Sequence, residues 1–229
     1  MDTHQKTDFL RYDVGDGAEA FTSMVGTELP YRVITGHQVH SDKVALVDNP
    51  LLTREDLEGF DALVTALPGC AVGVRTADCI PLLLFDPVCR AVAAVHSGWK
   101  GTVLRIVQKT IADMEGWFGT SASNLRAVIG PGICADSFQV GSEVCDRFSE
   151  AGFPMQLIWR EDGVPEPGSM RGGHHIDLFA ANMWLLEEAG VKSRNIQLSG
   201  ICTYLDERFH SARREGAACG RITSWIRLV

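Results

Sequence analysis

Three residues in the first half of the chain could together hold a transition metal: His40 in HQVH, Cys79 in TADC and His96 in AVHSGWKG. One thiolate and two imidazoles suit Zn²⁺ better than copper. Three protein ligands leave the fourth tetrahedral position open, as in catalytic rather than structural zinc sites. Asp78, beside Cys79, is the nearest carboxylate. It could move protons at the site, or orient a ligand imidazole from behind. The same side chains allow a metal-free alternative, a hydrolase in which Cys79 is the nucleophile and His96 or His40 its base.

The ligands are too far apart for a chelating loop, so the fold must gather them. The stretch from Cys70 to Ala77 predicts a strand, and IPLLLF at Ile80 to Phe85 is a continuous apolar run suited to a strand buried on both faces. After the turn DPVCR, AVAAVH predicts the returning arm of a hairpin. Cys79 and His96 are nearly symmetric about that turn, which places thiolate and imidazole at its open end. Beyond His96 comes SGWKGT, then apolar residues at helical spacing from Val103 to Phe118. Gly98, Gly101 and the first-turn N–H groups, with the charge of Lys100, could form an anion cradle for phosphate; the plain alternative is a tight strand-to-helix turn with Lys100 in solvent.

Further on, LRAVIG predicts a strand ending in the Gly130–Gly132 loop, Ser142 starts a short helix, and Asp177 caps another that closes on Gly190. IQLSGICT and ITSWIRLV read as late strands, and Glu161 to Gly173 as a long exposed loop. Residues 1–229 are expected to form one α+β domain, a mixed β-sheet with helices packed around it. With 29 acidic against 21 basic side chains, the net charge is −8, and no run of Lys or Arg could track a phosphate backbone, which argues against nucleic acid. The polar N-terminus and the lack of a long apolar stretch argue against a membrane and for a cytoplasmic location. Seven cysteines without a C-x-x-C pair suggest buried reduced thiols.

Other polar residues admit weaker readings. Gln38 could bind substrate or stabilise a turn. His37 is expected on the opposite face from His40, and His174 and His175 are expected to be exposed. His210 is unassigned. Arg213 is a candidate phosphate ligand ahead of Arg75 and Arg214, although each could equally pair with a surface carboxylate.

Taken together and in order, HQVHSDKV, DALVT, TADCIPLLLFD, AAVHSGWKGT, IGPGI and FHSARREG followed by CGR resemble the family once labelled multicopper polyphenol oxidase, or laccase-domain protein, and later recognised as zinc-dependent purine nucleoside phosphorylases. The resemblance runs from about residue 20 to the C-terminus. It implies metal ligation by His40, Cys79 and His96. It also implies phosphorolysis of adenosine, inosine, guanosine and S-methyl-5'-thioadenosine with orthophosphate, together with hydrolytic deamination of adenosine. The chain departs from the family pattern in a shortened stretch between Phe21 and Gly36, with Met24 near a customary Arg. Gln139 stands where a Glu is common, and Lys100 replaces a frequent Arg. A nucleoside-binding module that has lost turnover is the non-enzymatic alternative. Copper-dependent phenol oxidation ranks last, because one Cys and two His cannot build a multi-copper cluster.

Overall fold

The computed structural model describes residues 9–163 and 172–229. At its centre lies a mixed six-stranded sheet in the order β13-β9-β7-β8-β5-β4. The strands are β4 (Val44–Leu46), β5 (Ala62–Thr65), β7 (Ile80–Asp86), β8 (Ala91–Ser97), β9 (Arg126–Ile129) and β13 (Ile196–Leu198). The β7/β8 hairpin is its core, with Pro81 opposite His96 and Ile80 opposite Ser97. Cys79 therefore lies one step beyond the paired ladder, level with Gly98, close to where the hairpin reading puts it.

A second sheet packs on one face in the order β1-β2-β14-β6-β3. It contains β1 (Phe9–Tyr12), β2 (Ala18–Ser23), β3 (Val33–Thr35), β6 (Ala71–Thr76) and the C-terminal β14 (Ile222–Leu228). Between the sheets, Leu83, Phe85, Val92 and Ala94 meet Val72, Val74, Ile226 and Leu228. On the other face, Leu82, Leu84, Ala93 and Val95 meet two helices, α2 (Ile106–Phe118) and α5 (Leu178–Glu188). A strand covered on both faces has no polar side to show, which is why IPLLLF carries no alternation.

The helix after His96 is broken: α1 (Trp99–Val103) precedes α2, and Arg105 between them is left-handed at φ 59°. Its guanidinium bonds Glu188, Gln108 and the carbonyl of Ala151, and lies over the Trp184 and Phe153 rings. These contacts hold a backbone conformation that costs a non-glycine residue energy.

Asp177 caps α5 as expected, accepting from the N–H of Ala180 at 2.9 Å, a bond of the kind that contributes about 1 kcal/mol. The predicted loop from Glu161 to Gly173 is flanked by antiparallel arms, β11 (Trp159–Glu161) and β12 (His174–Ile176), with β10 (Gln139–Val140) on the far side of β12. Residues 164–171 lie outside the described residues. The helices α3 (Ser142–Glu150), α4 (Met155–Ile158) and α6 (Ala212–Glu215) complete the chain. Among the described residues, no helix is long and apolar enough to cross a membrane.

Candidate metal centre

The ligand-type atoms of His40, Cys79 and His96 all lie within 4.8 Å of one another. Each arrives from a different place. His96 sits near the end of β8, Cys79 in the joint between β6 and β7, and His40 in the loop between β3 and β4. The last two positions depend on strained backbone: His40 has φ 63°, and Asp78, which turns the chain into Cys79, has φ 86°. Positive φ is uncommon outside glycine, although Asp and His adopt it more readily than most residues, and it clusters at functional sites.

Asp61 holds the arrangement together. It is 1% exposed and receives the backbone N–H groups of Val39, His40 and Ser41 at 3.0, 3.0 and 2.8 Å, and the Ser41 hydroxyl at 2.9 Å. Its Oδ1 also lies 2.6 Å from Nδ1 of His96. One carboxylate thus shapes the His40 loop and fixes the ring of His96, leaving Nε2 of His96 as the donor. Burial opposes ionisation of Asp61, but the hydrogen bonds from His96, Ser41 and Val39 outweigh it and draw its pKa down to about 2.

The donor set fits a zinc ion. Nε2 of His40 is 3.7 Å from Sγ of Cys79, close to the roughly 3.6 Å edge expected between sulfur and nitrogen ligands of one tetrahedral ion. Burial raises the Cys79 pKa, yet the facing His96 charge and hydrogen bonds from both histidines lower it to about 6. Burial likewise lowers that of His96, and the thiolate and Asp61 raise it to about 9. The protein alone therefore supplies the thiolate that a metal requires.

Gly98 makes room for this. A Cβ there would lie 2.8 Å from Sγ of Cys79 and 3.0 Å from Cδ2 of His40, inside van der Waals contact. Gly98→Ala is expected to push these ligands apart and weaken Zn²⁺ affinity at least tenfold, with a stability loss of only about 1–3 kcal/mol. Competition with a chromophoric chelator would measure the first and urea unfolding the second. Unchanged zinc affinity would contradict the shared site.

The three donors sit in a cleft of about 610 Å³ also lined by His37, Gln38, Arg54, Arg75, Thr76, Asp78, Arg213 and Arg221. No carboxylate among the described residues pairs with Arg54, Arg75 or Arg221. Burial, and then the charges of Arg54 and Arg221, lower the pKa of Arg75, the mark of cations facing one another. The buried Thr76 hydroxyl has no hydrogen-bond partner among the described residues. In a chain of net charge −8, such a cleft draws anions inward.

Several predicted residues take other places. Lys100 is exposed, its ammonium 5.7 Å from the Trp99 ring centroid, and it does not line the cleft. Asp78 accepts from the Thr203 hydroxyl and from the Arg213 N–H, both at 2.7 Å, so both oxygens are engaged in bracing α6 against the ligand joint. Gln38 exchanges two hydrogen bonds with the backbone of Arg75, at 2.9 and 2.8 Å, and so positions that arginine. The Arg213 guanidinium bonds the carbonyls of Ser137 and Gln139 at the edge of the cleft. Arg214 is tied to the carbonyls of Thr203, Tyr204 and Phe209.

His37 lines the cleft with His40 instead of facing away from it, because the segment is a loop and not a strand with alternating faces; its Nδ1 meets Glu58. His175 is buried between the carbonyls of Ala135 and Gly172, and His174 lies near Trp159. His210 packs on Gly220 and pairs with Glu215 at 2.9 Å. Gln139 bonds the Gly172 carbonyl. Sequence reasoning missed Asp61, Arg54 and Arg221. Asp61 opens the DALVT phrase, but the two arginines carry no local signal.

The family described as multi-copper polyphenol oxidoreductase laccase matches residues 11–229. A purine nucleoside phosphorylase of Bacteroides thetaiotaomicron is 40% identical over 208 residues, covering 87% of this chain and 74% of that protein. An adenosine deaminase, RL5, of unknown prokaryotic origin is 40% identical over 201 residues, covering 85% and 74%. The crystal structure of YlmD from Geobacillus stearothermophilus superposes with a TM-score of 0.82 at 23% identity, covering 98% of this chain and 97% of that one, which bears on the fold alone. The chain belongs to the multi-copper polyphenol oxidoreductase laccase family, among whose members are proteins named purine nucleoside phosphorylase and adenosine deaminase.

Proposed function

We propose that this protein is a zinc-dependent purine nucleoside phosphorylase that also deaminates adenosine, with adenosine, inosine, guanosine and S-methyl-5'-thioadenosine as its substrate class. The observation that carries the reading is the joining, in one cleft, of the His40–Cys79–His96 donor set to Arg54, Arg75 and Arg221, none of which pairs with a carboxylate among the described residues. A zinc ion held by these three residues would supply Lewis acidity and lower the pKa of a bound water.

The chain's own residues supply the rest. Arg75, with Arg54 and Arg221 beside it, neutralises orthophosphate and holds it against the sugar, which is the positioning that phosphorolysis needs. His37, held by Glu58, is the cleft imidazole outside the donor set and is assigned to give a proton to the departing purine. Asp78 keeps the Cys79 joint and the start of α6 in register. Its two engaged oxygens favour that bracing task over proton transfer.

Incubation with adenosine, resolved by chromatography, tests the reading. Adenine and ribose 1-phosphate should form only when orthophosphate is present, while inosine should form with or without it. Adenine released equally in both conditions would refute phosphorolysis. Arg75→Gln should raise the phosphate KM about tenfold or more, the loss of one charge-assisted contact, while changing the adenosine KM and the inosine-forming rate less than threefold. An equal effect on both substrates would remove Arg75 from the phosphate site.

A second reading has one observation in its favour. Without metal, Cys79 and His96 form a thiolate–imidazolium pair backed by Asp61, the arrangement of a cysteine hydrolase. The metal content of protein purified without added metal separates the two.

A further inference from the structure

Outside the cleft, a second pair of cysteines is brought together by loops distant in sequence. Cys134 follows the Gly130–Gly132 turn after β9, and Cys202 follows β13. The two loops are joined on both sides of Cys202: the N–H of Gly132 bonds the Ile201 carbonyl at 3.2 Å, and the N–H of Thr203 bonds the Gly132 carbonyl at 2.9 Å. Between them, the N–H of Cys134 points at Sγ of Cys202 at 3.2 Å. The Ser137 hydroxyl oxygen lies 3.4 Å from Sγ of Cys134 and 3.9 Å from Sγ of Cys202. Both cysteines are half-buried, and Cys202 lines an open surface pocket with Gly200, Ile201, Leu205, Asp206 and Glu207. Neither sulfur touches the metal donors.

We propose that Cys134 and Cys202 are a peroxide-oxidisable dithiol, a site of reversible disulfide formation separate from the metal centre. The assignment does not depend on the reaction in the cleft. Cys202 is the attacking thiol, because it opens to solvent and its sulfur faces the N–H of Cys134; the adjoining Cys134 thiol, and then that N–H, draw its pKa down. Cys134, whose pKa those same contacts and burial raise, keeps its proton and is the resolving thiol.

The chemistry balances in two steps. The Cys202 thiolate attacks one oxygen of hydrogen peroxide, the O–O bond breaks, and the departing hydroxide takes a proton to become water, leaving Cys202 as a sulfenic acid. The sulfur of Cys134 then displaces that hydroxyl, which leaves with the Cys134 proton as a second water, and the S–S bond forms. Two thiols lose two electrons and one peroxide gains them.

Closure would tie the loop of residues 130–137 covalently to the loop holding Thr203, whose hydroxyl bonds Asp78. The carbonyl of Ser137 accepts from Arg213, so the disulfide is linked to the cleft edge through two short paths.

The test is peptide mapping of the whole protein after brief exposure to hydrogen peroxide, with free thiols then alkylated. The expected product is a Cys134–Cys202 cross-linked peptide, two hydrogens lighter than the separate peptides and lost on treatment with dithiothreitol. In Cys134→Ser the cross-link should vanish, and dimedone labelling of Cys202 should rise at least fivefold. Cys202→Ser should leave Cys134 unlabelled. Mapping of the unaltered protein stands whether or not the variants fold. Both thiols remaining fully alkylatable while Cys79 or Cys219 oxidises would overturn the assignment, as would sulfenic acid accumulating on Cys134 instead.

Discussion

Replacing Asp61 with alanine is expected to cost about 3–5 kcal/mol of stability and to abolish tight metal binding. The carboxylate is buried and has five hydrogen-bonding partners. Its removal leaves the N–H groups of residues 39–41 without their acceptor and the His96 imidazole without its orienting partner. Truncating one side of a buried charged network typically costs this much, because the groups left behind stay desolvated. Asp61→Asn keeps the volume but offers one acceptor oxygen in place of two, so its stability loss should be smaller, with zinc affinity still reduced about 10–100-fold. Urea unfolding with and without Zn²⁺ measures both. A stable Asp61→Ala variant with unchanged zinc affinity would remove Asp61 from the centre of the site.

The pH dependence follows from the same contacts. The pKa of Asp61 falls from 3.8 to about 2 on folding. Its contribution is therefore complete above the unfolded value and disappears as pH falls through the folded one. Acid unfolding of the wild-type protein should include this component, and Asp61→Asn should lack it.

The three candidate metal ligands were legible in the sequence because their chemistry is rare and because a hairpin converts sequence distance into proximity. The short turn after β7 put Cys79 and His96 at one end, and the register bears this out. The apolar run IPLLLF marked the middle strand of a covered sheet, and the Asp177 cap marked a helix start. The five-stranded sheet was not legible. Its edge strands, β1 and β3, are four and three residues long, too short to establish a period. Its centre pairs β14 with β6, whose partners Ile222 and Thr76 are 146 residues apart in sequence. That pairing sets Ile222 opposite Thr76 and so carries Arg221 to the cleft beside Arg75, a neighbourhood no local pattern encodes. Lys100 follows the ligand strand directly in sequence, yet the turn aims it at the Trp99 ring, and the cations that line the cleft come from other elements.

From the proposed function, stripping zinc from the protein is expected to lower nucleoside turnover about a thousandfold, roughly 4 kcal/mol of transition-state stabilisation, with recovery on adding Zn²⁺. Cys79→Ala should match that loss without recovery. Variants of Cys79 cannot by themselves separate a ligand from a nucleophile, since both readings need the thiolate; the stripped wild-type enzyme can. There the pKa of Cys79 is drawn down to about 6 and that of His96 raised to about 9. The contribution of the thiolate to the pair is lost as pH falls through the first value, and that of the imidazolium as pH rises through the second, so the ion pair persists between them. A cysteine hydrolase would keep its activity across that window after stripping. A metal enzyme would be inactive throughout it, its Cys79 alkylated rapidly at pH 7 and protected once Zn²⁺ is restored. Loading zinc at pH 7–8 must also displace the proton of His96, because a coordinated imidazole nitrogen cannot carry one. Titration calorimetry in buffers of different ionisation enthalpy should then read about one proton released per ion from His96, and up to about one more where the bound water also ionises; a value near zero would mean that His96 is not a ligand.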